Sequence, residues 1–183
     1  NIVSSYTNKT KAVLMVHLYG LAAEAERIEE FCSEKNIFLI EDSAEAHGQK
    51  VNNRPCGSFG DISTMSFYAN KHITTGEGGA VLTNSSIFSK KIKSMRNLGF
   101  NNSKRFVHED LFWNYRLGGL QAALGNSQIK NLDNKAKFKI DNWKRKSGGG
   151  GLTMAIENGN VFEKGGVNIS KVFGTLPKSM TKL

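Results

Sequence analysis

Two apolar runs constrain the fold of this chain more than any other feature. "KAVLMVHLYG" (residues 11–20) and "IFLIED" (37–42) are nearly continuous in hydrophobic residues, as expected of strands buried on both faces. Between them, "LAAEAERIEEFCSEKN" places Leu21, Ala25, Ile28, Phe31 and Cys32 at helical spacing, with acidic residues on the opposite side. Strand, amphipathic helix and strand in that order make a crossover of the length a parallel pair requires, and such crossovers are nearly always right-handed.

The alternation continues. A loop, "NNRPCGSFGD", leads to "ISTMSF", which reads as a strand; a glycine turn, "GEGG", then leads to a further strand, "AVLTN". "SSIFSKKIKSMRNLG" reads as a helix with serine near its start and glycine just past its end. "NNSKRFVHEDLFWNYR" is polar and aromatic and reads as a long loop, the kind of segment that carries function. "LGGLQAALGNSQIKNLD" returns to helix, with Leu117, Leu120 and Leu124 as its apolar stripe and Ile129 off it. The expected class is α/β, a mostly parallel sheet with flanking helices, over residues 1–135.

Beyond that point the composition changes. Residues 1–133 hold 15 basic against 13 acidic side chains, and residues 134–183 hold 10 against 3, so the net charge of +9 resides mainly in the tail. Eight of the 19 glycines also fall in the tail, where "LTMAIENGNVFEKGGVNISKVFG" reads as two short strands around an "ENGN" turn. Two unlike parts are expected, 1–135 and 136–183.

Several function classes lose support at once. Cys32 and Cys56 have neither disulfide-framework nor metal-ligand spacing, and read as reduced thiols of a cytoplasmic protein. His17, His47, His72 and His108 are scattered, which argues against a metal site; His17 and His47 read as structural. No run reaches the length of a membrane span and none looks like a signal peptide. The basic run "NKAKFKIDNWKRKSGGGG" reads as a solvated stretch rather than a nucleic-acid site, although a non-catalytic basic binding module stays open as an alternative.

The chemistry-bearing residues gather around Lys71. In open parallel sheets ligands collect at the carboxyl ends of strands. Asp42 follows the strand "IFLIE", Ser66 ends "ISTM", and Lys71 lies five residues further on. Singly they read as a cap, a turn residue and a solvated charge; together they put an acid, a hydroxyl and an amine on one rim. Pyridoxal phosphate needs this set: an amine to carry it covalently, an acid facing its ring nitrogen, and donors for its phosphate.

Four motifs, "VHLYG", "IEDSAEAHG", "GSFGDISTMSFYANKHITTGEGGAVLTN" and "FVHEDLFWNYRLGGLQAALG", resemble in order and spacing the DegT-type pyridoxal-phosphate-dependent sugar-nucleotide aminotransferases of the aspartate-aminotransferase fold, in particular their GDP-perosamine synthase branch. The resemblance covers about residues 10–135. It implies that Lys71 carries pyridoxal 5'-phosphate, that Asp42 faces the ring nitrogen, and that Glu45 lies beside the ring near its hydroxyl. It further implies that Ser66 binds the phosphate and that Asn114 reaches the phosphate of a partner subunit, hence a homodimer. Lys71 stands where dehydratase relatives have histidine, which favours transamination, with an amino acid such as glutamate as donor and a 4-keto-6-deoxy sugar nucleotide as acceptor. His72 and Glu77 lie in the same motif without an assigned role. The family's N-terminal phosphate loop, its ring-stacking aromatic and its C-terminal small domain have no counterpart in this sequence. The chain is therefore expected to be an inactive fragment.

"FKIDNWKRKSGGGGLTMAIENGNVFEKGGVNISKVFGTLP" resembles instead the oxygen-dependent coproporphyrinogen III oxidases, over about residues 138–183. That resemblance implies oxidative decarboxylation of a porphyrinogen without metal or organic cofactor, with the main catalytic residues missing from this chain. Two part-domains meeting without a linker point to an artefactual join rather than an evolved fusion, which ordinarily unites whole domains.

Overall fold

The computed structural model describes residues 1–19, 21–100, 106–108, 110–135 and 137. The strand pair expected around "ENGN", and most of the basic run, lie outside them. A short helix α1 (Ile2–Ser5) precedes β1 (Ala12–Val16), α2 (Ala25–Lys35) and β2 (Phe38–Asp42), the expected crossover. Next come β3 (Lys50–Val51), β4 (Arg54–Pro55), β5 (Ile62–Ser66), β6 (Gly79–Leu82), α3 (Ser86–Arg96) and α4 (Gly119–Ile129). The main sheet has the order β1-β2-β5-β6. β1, β2 and β5 are parallel, and β6 returns antiparallel to β5. The α/β, mostly parallel expectation is met.

The loop expected at "NNRPCGSFGD" contains a hairpin. Asn52 and Asn53 both take positive φ (47° and 67°), the geometry of a two-residue turn whose twist matches its flanking strands, and asparagine tolerates it better than most residues. Arg54 ties that hairpin to α2: its guanidinium meets both oxygens of Glu29 (2.6 and 2.8 Å) and lies 4.2 Å from the centre of the Phe59 ring. α3 starts as expected, with the Ser85 hydroxyl accepting from the Phe88 N–H (3.3 Å).

Met15, Leu39, Ala25, Cys32 and Phe59 form the core between the sheet and α2, with Ile28 and Phe31 packed on it. Among the described residues the strands are fully covered on this face and only partly on the other, which corrects the expectation of burial on both. Phe88 of α3 packs edge-on against Phe38 (5.8 Å), yet Leu14, Val16 and Ile40 on the same side remain 64%, 40% and 38% exposed. The Leu117–Leu120–Leu124 stripe is also exposed, and the buried residue of α4 is Gly125.

At the centre of the covered face sits a charge. Glu41 of β2 is fully buried, and its carboxylate gathers six donors. Oε1 accepts from His17 Nε2 (2.8 Å), the Ser43 hydroxyl (3.2 Å) and the Gly57 N–H. Oε2 accepts from the N–H groups of Phe59 (2.8 Å) and Gly60 (2.9 Å) and from the Ser63 hydroxyl (2.9 Å). His17 Nδ1 accepts the Ala23 N–H (3.0 Å), so the ring hydrogen sits on Nε2 and points at the carboxylate. Both ends of "CGSFG" thereby close around Glu41. A Cβ on Gly60 would lie 2.7 Å from the Ile62 carbonyl oxygen and 2.9 Å from Glu41 Cβ, so only glycine permits this approach. Burial pushes the Glu41 carboxyl up. The bonds from His17, Gly57, Gly60 and Ser63 outweigh that and hold it at about 2, against an ordinary 4.5. Cys56, a free buried thiol beside it, is pushed up to about 12 by burial and by the Glu41 charge.

Because the folded-state value is depressed, the stability that ionised Glu41 contributes is complete above about pH 4.5 and is lost as pH falls towards 2. The difference corresponds to about 3 kcal/mol. Urea denaturation followed by circular dichroism should show this loss across that window. Glu41→Gln, which turns an acceptor towards N–H donors into a donor, should cost about 3–5 kcal/mol at neutral pH and flatten the acid dependence.

Candidate functional site

Strand register places two of the expected residues, Asp42 and Ser66, at one edge of the sheet. Asp42 is level with Val16 of β1 and Thr64 of β5, and Ser66 is level with Gly79 of β6. Side chains alternate along a strand, so Asp42 faces away from the Glu41 side, onto the open face, and Thr64 and Ser66 share that face. The Thr64 hydroxyl meets Asp42 Oδ1 at 3.4 Å, and the Ala44 N–H donates to the same oxygen at 3.0 Å. Asp42 Oδ2 has no partner among the described residues. The Ser66 hydroxyl accepts the Tyr68 N–H at 3.3 Å.

Lys71 is on the β5–β6 connection, in a turn where its N–H donates to the Tyr68 carbonyl (3.0 Å). Its side chain is 16% exposed, and Nζ lies 3.4 Å from Glu45 Oε1. The other Glu45 oxygen accepts the Tyr19 N–H at 2.7 Å. Tyr19 holds a left-handed φ of 53° in the turn that follows β1. The "VHLYG" segment, the "EDSAEA" segment and the lysine loop therefore meet at one carboxylate. Asn114 stands apart: it is exposed, bridged to Asn97, and its Oδ1 accepts from the Arg116 N–H (3.2 Å) and Nε (3.0 Å). No contact joins it to Lys71 or Asp42 among the described residues.

The lysine loop is closed at its base. Phe67 accepts the Thr75 N–H (2.9 Å) and donates its own N–H to Gly78 (2.8 Å). Gln128 of α4 bonds Thr74 in both directions, accepting its N–H (3.2 Å) and donating to its carbonyl (2.7 Å). Sequence reasoning missed Thr64 and Gln128. Period-two spacing from Ser66 marks Thr64; for Gln128 the one signal was its place three residues after Gly125, a glycine inside a helical run.

In chemistry this set fits pyridoxal phosphate. Lys71 Nζ has three donors and spends one on Glu45, Asp42 keeps one oxygen for a ring nitrogen, and Ser66 offers a hydroxyl for a phosphate. Among the described residues no group of three or more His, Cys, Asp or Glu is placed to hold a metal ion, and no helix is long and apolar enough to cross a membrane.

Comparison with known proteins agrees with the geometry. The profile of the DegT/DnrJ/EryC1/StrS aminotransferase family matches residues 1–147, and that of coproporphyrinogen III oxidase matches residues 116–183. GDP-perosamine synthase of Vibrio cholerae is 45% identical over 133 residues, which cover 73% of this chain and 36% of that protein. The Helicobacter pylori aminotransferase PseC, involved in the biosynthesis of pseudoaminic acid, superposes with a TM-score of 0.68 at 34% identity over 72% of this chain and 36% of its own. The E. coli GDP-4-keto-6-deoxy-D-mannose-3-dehydratase, solved with bound hydrated PLP, superposes with a TM-score of 0.66 at 27% identity, over 70% and 38% of the two chains. The chain thus spans little more than a third of the length of these relatives.

The glycine turn after Lys71 gives a test of the loop's geometry. Gly76 (φ 77°) has open space around it, whereas a Cβ on Gly78 (φ 144°) would lie 2.7 Å from Thr75 Oγ1 and 2.9 Å from Leu117 Cδ1. Gly76→Ala should cost about 1 kcal/mol from backbone strain alone. Gly78→Ala adds the clash and should cost about 2–3 kcal/mol. Urea titrations of the two variants side by side check the order.

Proposed function

The chain belongs to the DegT/DnrJ/EryC1/StrS aminotransferase family, and on that premise we propose that it is part of a pyridoxal-phosphate-dependent enzyme that moves an amino group from glutamate to a 4-keto-6-deoxy sugar nucleotide. When bound, the cofactor supplies an electron-accepting ring next to the carbon that loses or gains the amino group. Lys71 Nζ would hold it covalently and, when free, would move the proton at that carbon. Asp42 holds a proton on the ring nitrogen. Glu45 orients Lys71 Nζ from beside the ring while its second oxygen holds the Tyr19 backbone. Ser66 binds the phosphate from this subunit. Asn114 serves the partner subunit's site in a homodimer, a role its exposed position away from Lys71 supports.

The observation that carries this reading is the meeting of a mostly buried amine and a carboxylate (3.4 Å) on the rim where two neighbouring parallel strands end in Asp42 and Ser66. The purified chain mixed with pyridoxal phosphate should develop a near-visible absorbance band, and borohydride reduction should fix the adduct at Lys71. Lys71→Ala should lose both. A band of undiminished size in Lys71→Ala, or reduction at other lysines alone, overturns the assignment. The chain lacks most of the length of its relatives, and we expect no transaminase turnover from it alone.

A second reading comes from the tail, whose match to coproporphyrinogen III oxidase supports a segment of that enzyme joined to the first. The two matches overlap over 116–147. The bonds between Gln128 and Thr74 support counting α4 with the aminotransferase part and a boundary after residue 128. Division of the chain between Lys137 and Phe138 supports a boundary near residue 135. We propose an artefactual join there. Amplification across the codons for residues 130–145 from source DNA should fail, and a continuous product would establish a natural fusion.

A further inference from the structure

We infer that Gln128 is a positioning residue for Lys71, holding the lysine loop so that Nζ faces Glu45. The inference deepens the assignment of Lys71 made above and depends on that reading for its functional meaning.

A carboxamide has four hydrogen-bonding positions, two lone pairs on oxygen and two N–H groups. Gln128 uses all four. Oε1 accepts from the Thr74 N–H (3.2 Å) and from Lys135 Nζ (3.1 Å). Nε2 donates to the carbonyls of Thr74 (2.7 Å) and Leu124 (2.8 Å). Its orientation is therefore fixed, since a flipped amide would set oxygen against two carbonyls and NH₂ against two donors. Bonding both the N–H and the C=O of one residue is what a neighbouring strand does. Here a side chain performs that pairing for a loop beside which no strand lies among the described residues.

The helix also comes unusually close. Gly125, one turn before Gln128, is buried, and a Cβ there would lie 2.9 Å from Thr75 Cγ2. α4 thus grips Thr74 and Thr75 by polar and by steric contact. Phe67 closes the other end through its bonds to Thr75, Gly78 and the Thr74 hydroxyl (3.2 Å). Lys71 stands between the two pinned ends, three residues before Thr74. Thr74 and Thr75 are also held by Phe67, and the buried Ile73 donates its N–H to His47 Nδ1 (3.4 Å). Loss of the Gln128 bonds therefore loosens that end of the span rather than freeing it, and the 3.4 Å approach of Nζ to Glu45 depends on the span keeping its place.

The test needs no cofactor. Brief acetylation with acetic anhydride, read by mass spectrometry, reports how accessible each lysine is. In the wild-type chain Lys71 should label slowly relative to the exposed Lys90. In Gln128→Leu, which keeps the bulk and removes every bond, Lys71 should label about fivefold faster or more, as expected for the loss of a pair of hydrogen bonds. Cys56, buried beside Glu41, should stay closed to a thiol reagent in the same sample, which separates a displaced loop from an opened core. Unchanged Lys71 labelling with Cys56 still protected overturns the inference. Should Gln128→Leu open Cys56, the wild-type chain in graded low urea decides: exposure of Lys71 together with loss of Thr74 amide protection, ahead of Cys56, supports the clamp. Loss of Thr74 protection with Lys71 labelling unmoved sinks it. Gln121→Leu, which removes an exposed carboxamide from the same helix, should behave as wild type. Failure of the chain to take up pyridoxal phosphate at Lys71 would defeat the functional reading and leave these labelling outcomes intact.

Discussion

The described fold depends on a buried negative charge. Taking Glu41 out of water is costly, and that cost is offset only because six donors from separate stretches of chain converge on it. Those donors come from the end of β1, from the loop after β2, from the turn after the hairpin and from β5. One carboxylate therefore specifies where four segments meet. Apolar packing around Met15 and Leu39 supplies cohesion, but it is tolerant of small displacements. The hydrogen-bond geometry at Glu41 is not.

The same strand connects this anchor to the chemistry. Glu41 and Asp42 are adjacent, so strand alternation sends one carboxylate into the covered face and the next onto the open one. Whatever fixes Glu41 also fixes Asp42. The lysine loop has a second support, since α4 holds its base through Gln128 and Gly125. A long connection between antiparallel neighbours would ordinarily be mobile; this one is pinned at both ends. The site thus combines a rigid acid on a strand with an amine on a clamped loop.

The open face of the sheet and the exposed leucines of α4 are consistent with a chain that spans about a third of its relatives' length. Parallel sheets ordinarily carry cover on both faces. The candidate cofactor-binding residues Asp42 and Ser66, with Thr64, lie half-buried on that less covered side.

Much of this was legible in residue order. The strand–helix–strand crossover, the serine cap of α3 and the placing of Asp42 and Ser66 at neighbouring strand ends follow from periodicities of two and 3.6 and from where strands end, all local properties. The hairpin inside "NNRPCGSFGD" was legible too, in its paired asparagines, and was passed over. What sequence order could not supply was partnership across long separations. Glu41 reads as one more acid in "IED" until His17, Gly57, Gly60 and Ser63 are brought to it, and Gln128 reads as a helix-surface residue until Thr74 lies against it. Burial on one face rather than both was equally out of reach, because an apolar run records that a strand wants cover and not whether cover is present. The sequence by itself determined the elements and the chemical identity of the candidate site. Only the tertiary structure decided which carboxylate is scaffold and which faces the candidate site, because that depends on contacts between residues 16 to 26 positions apart, which no local pattern encodes.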